Sequence, residues 1–203
     1  MNNPRYSQSY IQAVIDGDME RAEDLFDGDG LNRATINAAL QEACKHGRNE
    51  FVTNLLDRGA DCIEMAFWCA AYRGHLDILK ILKDRGGATN FNSAMKIATC
   101  YGYSDIVEKS IEWGADDFEG GLWNAAAYGQ IGLMQMYRNR GAQDVNGALR
   151  SAALNAKLDA VKLCIEEWGA DDLKGAIKNA NAIRNTQIVD YLNSISLETS
   201  CCS

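Results

Sequence analysis

Cys69-Ala70-Ala71-Tyr72-Arg73-Gly74-His75-Leu76-Asp77-Ile78-Leu79-Lys80 sets small residues ahead of a glycine, and an acid and an apolar run behind it. It reads as the end of one helix, a tight turn at Gly74 and the start of a second helix, whose positive N-terminus suits Asp77. Working outward, the same anchor recurs at Gly17, Gly47, Gly102 and Gly129, and is replaced by Ala156 and Arg184, which makes seven repeats. Four residues before each anchor stands alanine: Ala13, Ala43, Ala70, Ala98, Ala125, Ala152 and Ala180. Eight before, the residue is small: Ser9, Ala39, Ala66, Ala94, Gly121, Ala148 and Ala176. Seven before, it is large and apolar: Tyr10, Leu40, Phe67, Met95, Leu122, Leu149 and Ile177. Eleven before come Tyr6, Ile36, Ile63, Phe91, Phe118, Val145 and Leu173. These offsets fall on one face of a helix of about three turns. Its start is expected at Thr35, Asn90, Asp117, Asp144 and Asp172, whose side-chain oxygens suit an N-cap.

Behind the anchor the pairs Phe51-Val52, Ile78-Leu79, Ile106-Val107, Leu133-Met134, Ala160-Val161 and Ile188-Val189 begin a second amphipathic helix, with Glu20, Glu50, Asp77, Asp105 or Asp159 in its first turn. It stops at Gly59, Gly114, Gly141 or Gly169; with a looser match at Gly87 these glycines are 28, 27, 27 and 28 residues apart. Glycine there suits a left-handed cap. The alanine column lets successive helix pairs approach closely and share one core, so the expected fold is an all-α helix-turn-helix solenoid, stabilised by stacking along the array. The repeats run over about 5–32, 33–61, 62–88, 89–116, 117–143, 144–171 and 172–195, with a tail at 196–203, in a single repeat domain 1–203.

The block 69–80, together with Asn124-Ala125-Ala126-Ala127-Tyr128-Gly129 and Glu112-Trp113-Gly114-Ala115-Asp116, resembles the ankyrin repeat family over about residues 6–195. Ankyrin repeats run to about 33 residues. The missing residues fall between Gly-Ala-Asp and the next helix, where the family carries its threonine-proline hairpin. Pro4 is the single proline, so the β-hairpin fingers are expected to shrink to short loops. Shortened repeats of this style are similar to ankyrin-like proteins of large DNA viruses and some protists. The resemblance implies a non-enzymatic protein-binding module, an adaptor or inhibitor, with no cofactor.

The residues agree with that expectation. A net charge of −8 opposes a nucleic-acid surface. No apolar stretch reaches membrane-span length, Met1–Tyr10 lacks the apolar core of a secretory signal, and the 7 scattered cysteines suit a reducing compartment, so a cytoplasmic location is expected. His46 and His75 flank anchor glycines and read as turn residues, and no CxxC or paired-histidine spacing suggests a metal. Cys44 reads as core. The glycine pairs 86–87 and 120–121 lack the lysine of a phosphate loop. The tail with Cys201 and Cys202 departs from the prenylation signal and reads as a frayed end.

One feature stands above this background. Trp68, Tyr72, Tyr101, Tyr103, Trp123 and Tyr128 fall at positions six, two or one before the anchor, or one after it, on the expected exposed ridge of the first helices. Gln41, Lys45, Arg150 and Asn155 take comparable offsets in flanking repeats, and Arg150 is expected to matter little for binding. Exposed Trp and Tyr concentrate at interfaces, so these six are the expected contact residues for another protein, with the chain itself monomeric. The alternatives are inter-repeat packing, a small cationic ligand or peptide tail held against the rings, and self-association. Trp113 and Trp168 are expected to cover helix ends.

Overall fold

The computed structural model describes residues 4–29 and 31–201. Among them are 14 α-helices and no strand. The pairs are α1 (Pro4–Asp16) with α2 (Met19–Asp29), α3 (Arg33–Lys45) with α4 (Asn49–Asp57), α5 (Ile63–Arg73) with α6 (Leu76–Asp84), and α7 (Phe91–Tyr101) with α8 (Ser104–Glu112). They continue with α9 (Phe118–Tyr128) and α10 (Ile131–Asn139), α11 (Val145–Leu154) and α12 (Leu158–Lys162), and α13 (Leu173–Ala182) and α14 (Thr186–Cys201). The last helix runs past residue 195; Cys202 and Ser203 lie outside the described residues. The helices gather into two compact units, an N-terminal one of Met1–Ala98 with Glu108–Gly114 and a C-terminal one of Thr99–Val107 with Ala115–Ser203. Within the first, α3 packs between α1 and α5; within the second, α11 packs between α9 and α13. Each unit is thus a stack of helix pairs.

The columns explain the stacking. All seven alanines four residues before the anchor are fully buried, as are Ala39, Ala66, Ala94, Ala148 and Ala176 in the small column. The large column is buried from Tyr10 to Leu149, and Ile177 is half-buried. The column eleven before the anchor is half-buried except at Ile36, because it sits at the helix start, beside the loops. At Gly121 an added Cβ would fall 2.5 Å from the Tyr137 ring, so only glycine leaves room there for the large side chain of α10. Burying one Leu or Ile contributes about 1.5–3 kcal/mol, and Leu40, Leu55, Ile78, Leu79, Ile106 and Leu122 are among those with no accessible surface.

The alanine column also closes the first helices. The amide following the anchor donates to the alanine carbonyl at 2.8–3.0 Å in Asp18 to Ala13, Arg48 to Ala43, His75 to Ala70, Gln130 to Ala125, Lys157 to Ala152 and Asn185 to Ala180. This is the hydrogen bond of a helix ended by a left-handed residue. All seven anchors have φ between 57° and 80°, Ala156 (58°) and Arg184 (57°) included.

Helix starts depart from expectation in one place. Asp117, Asp144, Asp172 and Asn90 accept from the amides of Gly120, Gly147, Gly175 and Ser93. Thr35, however, lies inside α3, and Asn32 caps that helix by accepting from the Thr35 amide at 2.8 Å. Thr35 instead spends its hydroxyl on Ser7 and Asn32. A second departure is a π-helical stretch, Leu163–Glu167, continuing α12. The third and sixth repeats each have one more residue between anchor and closing glycine than the fifth; the sixth takes it up in the wider π turn, the third after α6, at Gly86-Gly87. The Ala170 amide accordingly reaches back to Cys164, whereas Ala142 reaches only to Tyr137.

The shortened loops are tied down by side chains ten residues before the anchor. Asn37 accepts from the Asp61 amide (2.9 Å), Glu64 from Thr89 (2.9 Å), Glu119 from Gln143 (2.7 Å) and Asn146 from Asp171 (3.0 Å). Asn37 and Asn146 also donate to the carboxylates of Asp61 and Asp171. In these four repeats one polar residue satisfies backbone amides that a hairpin would otherwise pair.

Candidate binding surface

On the N-terminal unit, Trp68 and Tyr72 stand one turn apart on α5. Their rings stack with centroids 5.2 Å apart and planes 13° from parallel, and the Arg73 guanidinium lies 5.5 Å from the Tyr72 centroid. Trp68 is 44% exposed, Tyr72 half-buried, and Met65, a turn earlier, is 53% exposed. On the C-terminal unit, Tyr101 and Tyr103 stack across the anchor Gly102 with centroids 6.0 Å apart; Tyr101 is exposed and Tyr103 half-buried. Trp123 and Tyr128 are both exposed on α9. Electrostatic contact and a hydrogen bond with Cys100 push the Tyr128 phenol above its ordinary value.

The aromatic residues that thicken the core are different ones. Phe67, Phe91 and Trp113 form a triangle with centroid separations of 5.7–6.2 Å, and Tyr137 is fully buried with its hydroxyl 2.5 Å from the Thr99 hydroxyl. Trp113, directly after α8, belongs to that triangle, and Trp168 lies beneath the Arg138 guanidinium.

Trp123 forms one wall of a groove of about 220 Å³ with Asp144, Gly147, Arg150, Ser151, Leu154 and Asn179. A Cβ at Gly147 would collide with the indole nitrogen of Trp123, so the bare glycine seats the ring. Arg150, set aside by the sequence reading, lies in this groove, as does Leu154, which is 45% exposed. Leu154, Ile183 and Met65 are exposed apolar residues that the sequence reading missed. The offsets that picked out Tyr72 and Tyr128 also pick out Leu154 and Ile183, so a search for apolar rather than aromatic residues would have found both.

The remaining candidates for chemistry have structural employment. The His75 ring lies 3.3 Å from the Lys45 carbonyl and over Gly47, where a side chain would strike it. Arg48 repeats the arrangement one repeat earlier, donating to the Ile15 carbonyl at 2.7 Å over Gly17. His46 faces Glu42 at 3.6 Å. Burial pushes the Cys44 thiol well up, which makes it a poor nucleophile. Cys44, Cys62, Cys69 and Cys164 are in no disulfide. Among the described residues, no group of three or more His, Cys, Asp or Glu side chains could hold a metal ion, and no helix is long and apolar enough to cross a membrane.

The fold therefore defines a helical-repeat protein. Residues 40–116 match the family described as ankyrin repeats, in 3 copies. The match spans the second to fourth repeats; the same buried columns continue through the first and the last three. Ankyrin repeats generally mediate protein–protein interaction. A search of the curated proteins finds no match.

Proposed function

We propose that this protein binds another protein through the exposed aromatic residues of its first helices: Trp68 and Tyr72 on one unit, Tyr101, Tyr103, Trp123 and Tyr128 on the other. The observation that carries the reading is the exposure of Trp68, Tyr101, Trp123 and Tyr128, each between 42% and 51%. Side chains of this size left half in water at recurring offsets do not fill the core, and such residues dominate interfaces when covered. Short loops leave the helices as the available surface. In its finer form the protein is a cytoplasmic, non-enzymatic adaptor or inhibitor, viral and directed at a host protein. The likeness of its shortened repeats to those of large DNA viruses supports that form. A cationic ligand is disfavoured, since Arg73 already covers Tyr72 and Arg150 lines the groove beside Trp123.

The test is capture from an extract of the source cell on immobilised wild-type protein and on the folded double variant Trp68→Ala/Trp123→Ala, with mass spectrometry of what is retained. A partner held by the wild type and lost by the variant is expected. Equal retention of every captured protein would remove the aromatic surface from the account. Light scattering of the free chain checks self-association.

A further inference from the structure

We infer that the first-helix face of the C-terminal unit receives an acidic peptide segment carrying apolar side chains, a deepening that rests on the proposed protein-binding function. At the helix-face positions of α9, α11 and α13 stand the exposed apolar residues Trp123, Tyr128, Leu154 and Ile183, the cations Arg150 and Lys178, and the neutral Asn124, Ser151 and Asn179. None of these positions carries a carboxylate, although the chain as a whole is at −8. Most exposed acids of this unit's later repeats lie on the other helices: Asp159 on α12, Glu166 and Glu167 on its π-helical continuation, and Asp190 on α14; Asp171, in the loop before α13, accepts from Asn146 at 2.8 Å.

The carboxylates nearest the face are already engaged. Asp144, which lines the groove, accepts from the Gly147 amide at 2.8 Å, and Glu119 accepts from the amides of Gln143 and Asp144 at 2.7 and 3.1 Å. Asp172 accepts from the Gly175 amide at 3.0 Å and from Arg150 at 2.6 Å. That ion pair uses one nitrogen of a guanidinium with five N–H donors, which leaves Arg150 able to take a second carboxylate. The groove between Trp123 and Leu154, at about 220 Å³, has room for a single apolar side chain, floored by Gly147, with Arg150 beside it. Complementary charge steers such a segment in and rejects a basic one. A nucleic-acid strand fits less well, because two cations neutralise too little phosphate and the chain's overall charge repels it.

The experiment is fluorescence anisotropy of the full chain with three labelled probes: a twelve-residue peptide alternating Glu with Leu and Phe, the same peptide with Lys for every Glu, and a twelve-nucleotide oligothymidylate. The Glu peptide is expected to bind, more weakly as salt rises, and neither other probe to match it. Lys178→Glu, at an exposed position with no ion pair among the described residues, and Arg150→Gln should each weaken the Glu peptide by roughly tenfold or more, with Lys80→Glu on the N-terminal unit leaving it unchanged. Equal binding of the Lys peptide or the oligonucleotide, no binding of the Glu peptide, or indifference to Lys178→Glu overturns the proposal. If capture is still abolished by Trp68→Ala/Trp123→Ala, only the acidic segment has failed. If that variant captures normally, the reading beneath it has failed.

Discussion

At the residue scale the informative positions are those where a repeat breaks its own rule. Ala156 and Arg184 hold φ of 58° and 57° where the other five repeats place glycine, a conformation that crowds an L side chain against the next carbonyl. Arg184→Gly is exposed and removes that crowding, at some cost in unfolded-chain entropy. It should raise stability to urea by about 0.5–1 kcal/mol, and a loss would mean that the Arg184 side chain makes a compensating contact. Tyr137 gives a pH-dependent test. Burial pushes its phenol from 10.0 up to about 12, and the Cys164 thiol from 9.0 up to about 12. Both hold their protons more tightly folded than unfolded, so their contribution is whole below the unfolded values and is lost as pH climbs from about 9 through about 12. Urea denaturation across that range should show falling stability, and Tyr137→Phe, though weaker at neutral pH for want of the Thr99 bond, should fall less steeply.

At the element scale the small column and the polar loop ties divide the work. Ala125 is fully buried, so Ala125→Leu forces methylenes into a close helix contact and should cost about 1–3 kcal/mol. Lys96→Leu, on an exposed position, adds an apolar side chain without that clash and serves as the comparison in chemical denaturation; equal costs would mean that the alanine column is not a close-approach surface. Asn146 holds the Asp171 and Asp172 amides at 3.0 and 3.1 Å. In Asn146→Ala these two amides should exchange hydrogen faster while those of α9 keep their protection; unchanged exchange would show that the loop is held by its backbone alone.

These elements also mark what could be read in advance. Buried columns were legible because residue size recurs at a helical period through seven repeats, and the capping aspartates because an Asp stands at one offset from the helix start. The ties ten residues before the anchor were not, since Ser, Asn, Glu and Lys occupy that column and no single residue type recurs. Thr35 looks like a cap in the sequence, but Asn32, three residues earlier, has the same chemistry and takes the position. The π turn was not legible, because the 28-residue spacing of Gly141 and Gly169 recurs between Gly59 and Gly87, where α6 stays α-helical.

For the whole molecule, burial separates structure from function more sharply than residue type does. Phe67, Phe91, Trp113 and Tyr137 are as aromatic as Trp68 and Trp123, yet they pack within the units, while the latter two remain 44% and 42% exposed. The exposed set was legible from helical offsets; its continuation through Leu154 and Ile183, and the groove beside Trp123, required coordinates, because they depend on which helices stack. The most direct test of the central claim is the affinity of a purified partner for wild-type protein and for Trp68→Ala/Trp123→Ala, measured by calorimetry after circular dichroism has shown both to be equally helical. Each aromatic hot spot is worth about 2 kcal/mol or more, so the double variant should bind more than about a hundredfold more weakly. A double variant that loses stability while its folded fraction binds with wild-type affinity would contradict the account and return both tryptophans to the architecture of the fold.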